Sequence, residues 1–127
     1  MFKETKAYSG FAVDDIEAAR AFYANTLGLE TSTVDEENGL LALHLAGGRD
    51  TFVYTKPDFV PATYTILNFE VPDVDQAVDQ LTARGVQFER YEEFEQDEKG
   101  IARGDQGPAI AWFTDPAGNI LSVHEPM

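Results

Sequence analysis

The chain has 127 residues, 43% of them hydrophobic, and carries 23 acidic against 9 basic residues for a formal net charge of −14. That balance argues against binding to nucleic-acid backbones or anionic membranes, both of which require clustered Lys and Arg. The sequence has no cysteine, which excludes disulfides, thiolate metal sites and thiol nucleophiles.

The length suits one compact domain with a real apolar core. No apolar run approaches the roughly 18 residues that a membrane helix needs. The opening Met-Phe-Lys-Glu-Thr-Lys is too polar for a secretory signal, so a cytoplasmic location is expected.

In chain order, a strand with Phe11 and Val13 on one face leads into a helix capped by Asp14 or Asp15, with Glu17 in its first turn. Ile16, Ala19, Tyr23 and Leu27 recur at helical spacing, and Gly28 stands where a helix end needs positive φ. Residues 30–34, 40–45 and 51–55 read as strands, separated by turns at 35–39 and at Gly47-Gly48. Residues 56–62, with Pro57 and Pro61, read as a connector.

A second strand-to-helix passage follows. Residues 63–71 read as a strand, Asp73 as an N-cap with Gln76 three positions on, and Val74, Ala77, Val78 and Leu81 as one helix face ending near Gly85. Residues 86–91 read as a strand. The acidic stretch from Glu89 to Glu98 reads as a solvated loop or sheet edge, or as a field that attracts a cation. Residues 104–107 read as a turn rather than a phosphate cradle. A final hairpin pairs residues 109–114 with 119–123 across Asp115-Pro116-Ala117-Gly118.

The two passages repeat one another. Phe11, Val13, Asp15, Ile16 and Ala19 correspond to Phe69, Val71, Asp73, Val74 and Ala77. A repeated supersecondary unit predicts an α+β fold of two tandem βαβββ modules within a single domain, residues 1–60 and 61–127, with the helices on one face of a mixed sheet. Alternation along the strands then puts Tyr8, Tyr54, Tyr64, Ile66, Asn68, Glu70, Ser122 and His124 on the face away from the helices. Trp112 or Phe113 joins them, according to whether the last hairpin is regular or bulged.

The duplicated unit, Phe22-Tyr23 with Leu27-Gly28-Leu29, and the closing Asp115-Pro116-Ala117-Gly118-Asn119 together resemble the vicinal oxygen chelate superfamily. That superfamily contains glyoxalase I, extradiol dioxygenases, fosfomycin resistance enzymes and bleomycin resistance proteins. The resemblance covers nearly the whole chain and implies a curled sheet around a cleft, usually in a homodimer. In metal-dependent members, His and Glu ligands project from the first and last strands of each module. The matching positions here are Tyr8, Tyr54, Ile66 and Ser122, none of them His, Asp or Glu. No metal or other cofactor is therefore expected, and a displaced site built from His44, Glu70 and His124 is the alternative.

Nucleophilic catalysis has no sequence signature either, since neither histidine lies in sequence beside an obvious serine and carboxylate pair. The resemblance is closest in character to metal-free, bleomycin-resistance-like members linked to antibiotic resistance. It implies binding of a planar or amphipathic, aromatic or cationic small organic molecule by Tyr8, Tyr54, Tyr64, Ile66, Asn68, Trp112, Phe113, Ser122 and His124. The alternative is a lyase, isomerase or oxygenase of the same fold.

Overall fold

In the computed structural model, residues 1–104 and 107–127 are described. They form seven strands and two α-helices, arranged in a four-stranded and a three-stranded sheet. The chain divides into two compact units, Met1–Val60 and Pro61–Met127.

In the first unit the order is β1 (Ser9–Val13), α1 (Ile16–Arg20), β2 (Glu30–Asp35), β3 (Leu40–Leu45) and β4 (Arg49–Thr55). The sheet runs β1-β4-β3-β2, with β1 parallel to β4 and the remaining pairs antiparallel. Asp15 starts α1 by accepting hydrogen bonds from the backbone N–H groups of Glu17 and Ala18. The expected single helix instead passes at Ala21 into a π-helical segment, Ala21–Thr26, closed by Leu27 N–H donating to the Phe22 carbonyl at 2.9 Å. This wider turn brings Tyr23 into the core, where Phe22 and Phe11 pack on its ring. Val13, Leu41, Leu43 and Val53 complete that core, each fully or almost fully buried. Burying such a side chain is worth about 1.5–3 kcal/mol.

The second unit contains β5 (Thr65–Glu70), α2 (Val74–Ala83), β6 (Ile110–Thr114) and β7 (Ile120–His124), in the sheet order β5-β7-β6. Asp73 caps α2 by accepting from Gln76 N–H at 3.2 Å. Val74 and Val78 bury the helix face, with Ala111, Phe113, Leu121 and Val123 in the same core. Gly28 and Gly85 adopt φ of 70° and 90° past the two helices, as the sequence requires.

The strand expected over residues 86–91 is reduced to a single bridge, Phe88 to Phe113. The Gln96 side chain takes the place of a ladder. Its Oε1 accepts from Tyr91 N–H at 2.8 Å, and its Nε2 donates to the Glu89 and Gly100 carbonyls at 3.0 and 2.7 Å. Backbone groups satisfied this way need no partner strand. The turn expected over 104–107 includes Asp105 and Gln106, which lie outside the described residues.

Asp115 and Asn119 clamp the last hairpin. The Asp115 carboxylate accepts from Ala117 N–H, Asn119 N–H and the Asn119 amide, while Asn119 Oδ1 accepts from Ala62 N–H at 3.2 Å. The turn motif thus also fixes the chain that enters β5.

Candidate ligand-binding site

The β6–β7 hairpin is regular, with Trp112 opposite Ser122 and Phe113 opposite Leu121. Trp112 therefore lies on the sheet face of Ser122 and Asn68, whereas Phe113 lies on the opposite face, buried against Phe88 at 5.5 Å between ring centroids. Phe113 belongs to the core rather than to a ligand surface.

Trp112 carries two further aromatic rings that the sequence reading did not assign to it. Phe94 is stacked on it at 4.8 Å and 29°, and Tyr91 meets it edge-on at 5.4 Å and 76°. Trp112 is 9% exposed, while Phe94 remains 48% exposed. Phe94, Ile101, Ala102, Ile110 and Trp112 line an open pocket of about 780 Å³, rimmed by Glu93, Glu95 and Asp97. Among the described residues the only cation on that rim is Arg103, and Asp75 and Asp97 already engage its guanidinium. The slot therefore combines flat apolar surface with an excess of negative charge.

Titration follows from these surroundings. Burial pushes the Tyr91 phenol up, and the nearby Glu89 and Glu93 charges push it further. Burial also pulls the Asp97 carboxyl upward, but hydrogen bonds from Ile101 N–H, Lys99 N–H and Arg103 outweigh it and leave the group below its ordinary range.

The other expected site residues are distributed as follows. In the first unit, Tyr8 is 66% exposed and packs on Phe52 at 4.5 Å, and Tyr54 is exposed opposite Ala12. In the second, Ser122 is buried and donates to Asn68 Oδ1 at 2.6 Å, so its hydroxyl serves the sheet. Ile66 sits at a register shift between Thr65 and Leu67, where regular alternation is broken. Tyr64 precedes β5 and is 69% exposed. His124 is buried, with Nδ1 against the Glu125 carbonyl at 2.7 Å.

These residues do not fit a metal. Tyr8, Tyr54, Ile66 and Ser122 are poor donors for a divalent transition ion, which prefers imidazole or carboxylate. Nor do His44, Glu70 and His124 form a displaced set, because no group of three or more His, Cys, Asp or Glu among the described residues is placed to hold an ion.

The profile of the Glyoxalase/Bleomycin resistance protein/Dioxygenase superfamily matches residues 7–123, and the chain belongs to that superfamily. No curated protein matches the sequence. Among solved structures, a member of this superfamily from Sphaerobacter thermophilus is 25% identical, with 97% of this chain and 99% of that one covered and a TM-score of 0.72. TnmS3, an antibiotic binding protein from Streptomyces sp. CB03234, is 23% identical, with 96% and 97% covered and a TM-score of 0.69. The fosfomycin resistance protein FosX from Listeria monocytogenes is 17% identical, with 96% and 93% covered and a TM-score of 0.72. No helix among the described residues is long and apolar enough to cross a membrane.

Proposed function

We propose that the protein binds and sequesters a planar organic cation in the slot built on Trp112, without using a metal. The observation that carries this reading is the Phe94–Trp112 stack inside a pocket whose rim holds Glu93, Glu95 and Asp97. A flat cationic ligand gains dispersion and cation–π attraction from the rings, and the acidic rim raises its local concentration. TnmS3 is described as antibiotic binding and shares the fold, which supports drug or natural-product binding as a use of this architecture. The donor set at the metal positions supports the same reading over metal-dependent catalysis.

The test is titration of the full chain with phenanthridinium and acridinium dyes, beside neutral and anionic aromatics of the same size, followed by calorimetry and by quenching of the one tryptophan. Cations are expected to bind most tightly and to lose affinity in Trp112→Leu. Failure of every member of a broad panel of aromatic natural products to bind would remove the proposal. Metal analysis of protein purified without chelator separates it from an enzymatic reading. Stoichiometric nickel, zinc, iron or manganese, lost in His124→Ala or Glu70→Ala, would favour the enzyme.

The reading also includes a cytoplasmic homodimer, for which the exposed Tyr8, Tyr54 and Tyr64 supply apolar surface. Light scattering on the purified chain tests the dimer, and a monomer at micromolar concentration would remove that part.

A further inference from the structure

A second constellation lies in the first unit, remote in sequence from the slot. Ser32 on β2, His44 on β3 and Asp50 on β4 occupy three successive strands of one sheet. His44 is paired with Asp50 across β3–β4, and Ser32 with Ala42 across β2–β3, so the serine stands diagonal to the histidine. Alternation places all three on the face opposite Leu41, Leu43 and Val53, which are buried in the core.

The contacts have a direction. His44 Nδ1 lies 2.9 Å from Asp50 Oδ1, and His44 Nε2 lies 2.5 Å from Ser32 Oγ. An ionised carboxylate has no proton to give, so the ring proton belongs on Nδ1. Nε2 then presents its lone pair, and the Ser32 hydroxyl donates to it. A nucleophile bonded to a base that a third group orients is the arrangement that activates a serine. Ser32 is exposed, and the His44 and Asp50 side chains keep 33% and 31% of their surface, so a substrate can reach the relay.

Along β4 the same face turns apolar, while Glu30 stands opposite His44 on β2. Phe52 follows Asp50 by one full alternation along β4, roughly 7 Å away, pairs with Ala42, and carries the Tyr8 ring.

The geometry points to an acyl-transfer site, in which Ser32 takes the acyl group of an ester whose acyl part is apolar or aromatic. Ser32 Oγ bonds to the ester carbonyl carbon and the bond from that carbon to the alcohol oxygen breaks. The serine proton passes to His44 Nε2 and leaves with the alcohol. Water then attacks the acyl-serine, giving up its proton through His44, and releases the carboxylic acid with the serine restored. Asp50 is a positioning residue that acts through the His44 tautomer. The relay supplies nucleophile and base but not the oxyanion donors, each worth roughly 10²–10³ in rate. Covalent capture of Ser32 is therefore a more sensitive readout than turnover.

The test treats the full chain with an alkyl fluorophosphonate and, separately, with a p-nitrophenyl ester of an aromatic acid, and locates adducts by peptide mass mapping. In the first reaction the Oγ–P bond forms, P–F breaks, fluoride departs and the proton goes to His44. The expected result is one adduct, on Ser32, absent in Ser32→Ala and formed about 100-fold more slowly in His44→Gln. Asp50→Asn should slow it about 10-fold or more and move the His44 ring proton from Nδ1 to Nε2, read from long-range ¹H–¹⁵N spectra. A merely structural Asp50 would not link the tautomer to the capture rate. An absent adduct, adducts spread over other hydroxyls, or capture of Ser32 at an unchanged rate in a folded His44→Gln would each overturn the proposal.

Discussion

Phe94 lies flat on Trp112, 4.8 Å between centroids and 29° between planes, although it belongs to an irregular loop and keeps 48% of its surface exposed. It thus covers an otherwise sheltered indole with a ring that the loop presents. Phe94→Ala should leave far-ultraviolet circular dichroism unchanged while shifting the emission of the sole tryptophan to the red and increasing its quenching by acrylamide. The lost aromatic pair should cost about 0.5–1.5 kcal/mol of stability. A stacking cation should bind about tenfold more weakly, equivalent to about 1.4 kcal/mol. Tighter binding in the variant would mean that Phe94 competes with the ligand for Trp112 instead of helping to hold it.

The loop that presents Phe94 depends on Gln96, whose amide closes hydrogen bonds to Tyr91, Glu89 and Gly100. Gln96→Ala removes all three and leaves part-buried backbone groups without their partner, a loss of about 1–3 kcal/mol. The urea midpoint should fall by that amount, and the amide of Tyr91 should lose hydrogen-exchange protection. The amides of β7 should keep theirs until global unfolding. Uniform loss of protection throughout the second unit would show that the loop is not a separate element.

What the sequence made legible, and what it hid, follows from the range of the interactions. The helix starts at Asp15 and Asp73, the glycines that end the helices and the Asp115–Asn119 turn all depend on partners a few residues away, so local chemistry declares them. The repeat beginning at Phe11 and Phe69 gives the α+β plan for the same reason. The aromatic slot is different. Phe94 and Tyr91 reach Trp112 because a glutamine replaces a strand ladder, and a lone Gln inside an acidic run carries no periodic signal. Ser32, His44 and Asp50 are likewise separated in the chain and meet only through strand register, which proximity in sequence does not reveal. The choice between Trp112 and Phe113 rested on whether the hairpin is bulged, and its regular pairing sets Trp112 beside Ser122.

Tyr91 provides an alkaline reporter. Burial and the Glu89 and Glu93 charges disfavour its phenolate, so its folded pKa lies above the ordinary tyrosine value. Between the two values the unfolded chain is ionised while the folded one holds its proton, so stability falls as pH rises through that window. Phenolate absorbance should show a late-titrating component that is missing in Tyr91→Phe. The urea midpoint of that variant should decline less steeply above about pH 10. Coincident titration curves for the two proteins would contradict the burial of this ring.

At acid pH the decisive contact is between Arg103 and Asp75. The hydrogen bond from Arg103 lowers the Asp75 carboxyl most, its charge and that of Lys99 add to the effect, and burial opposes them only in part. Because the folded pKa is depressed, this stabilisation is present above the ordinary aspartate pKa and is lost as pH falls through that range toward the folded value. The pair joins the first turn of α2 to the segment that follows Ile101, and Lys99 makes a parallel link to Asp79 at 3.0 Å. Arg103→Gln should therefore lower the urea midpoint near about pH 6, and the difference from wild type should shrink as pH falls below the ordinary aspartate range and Asp75 takes up its proton. Added salt at the higher pH should shrink the same difference, since the contact is solvent-exposed. A difference that survives both acid and salt would assign the role of Arg103 to the packing of its hydrocarbon stem, and Arg103→Met, which keeps most of that stem without the charge, would then match wild type.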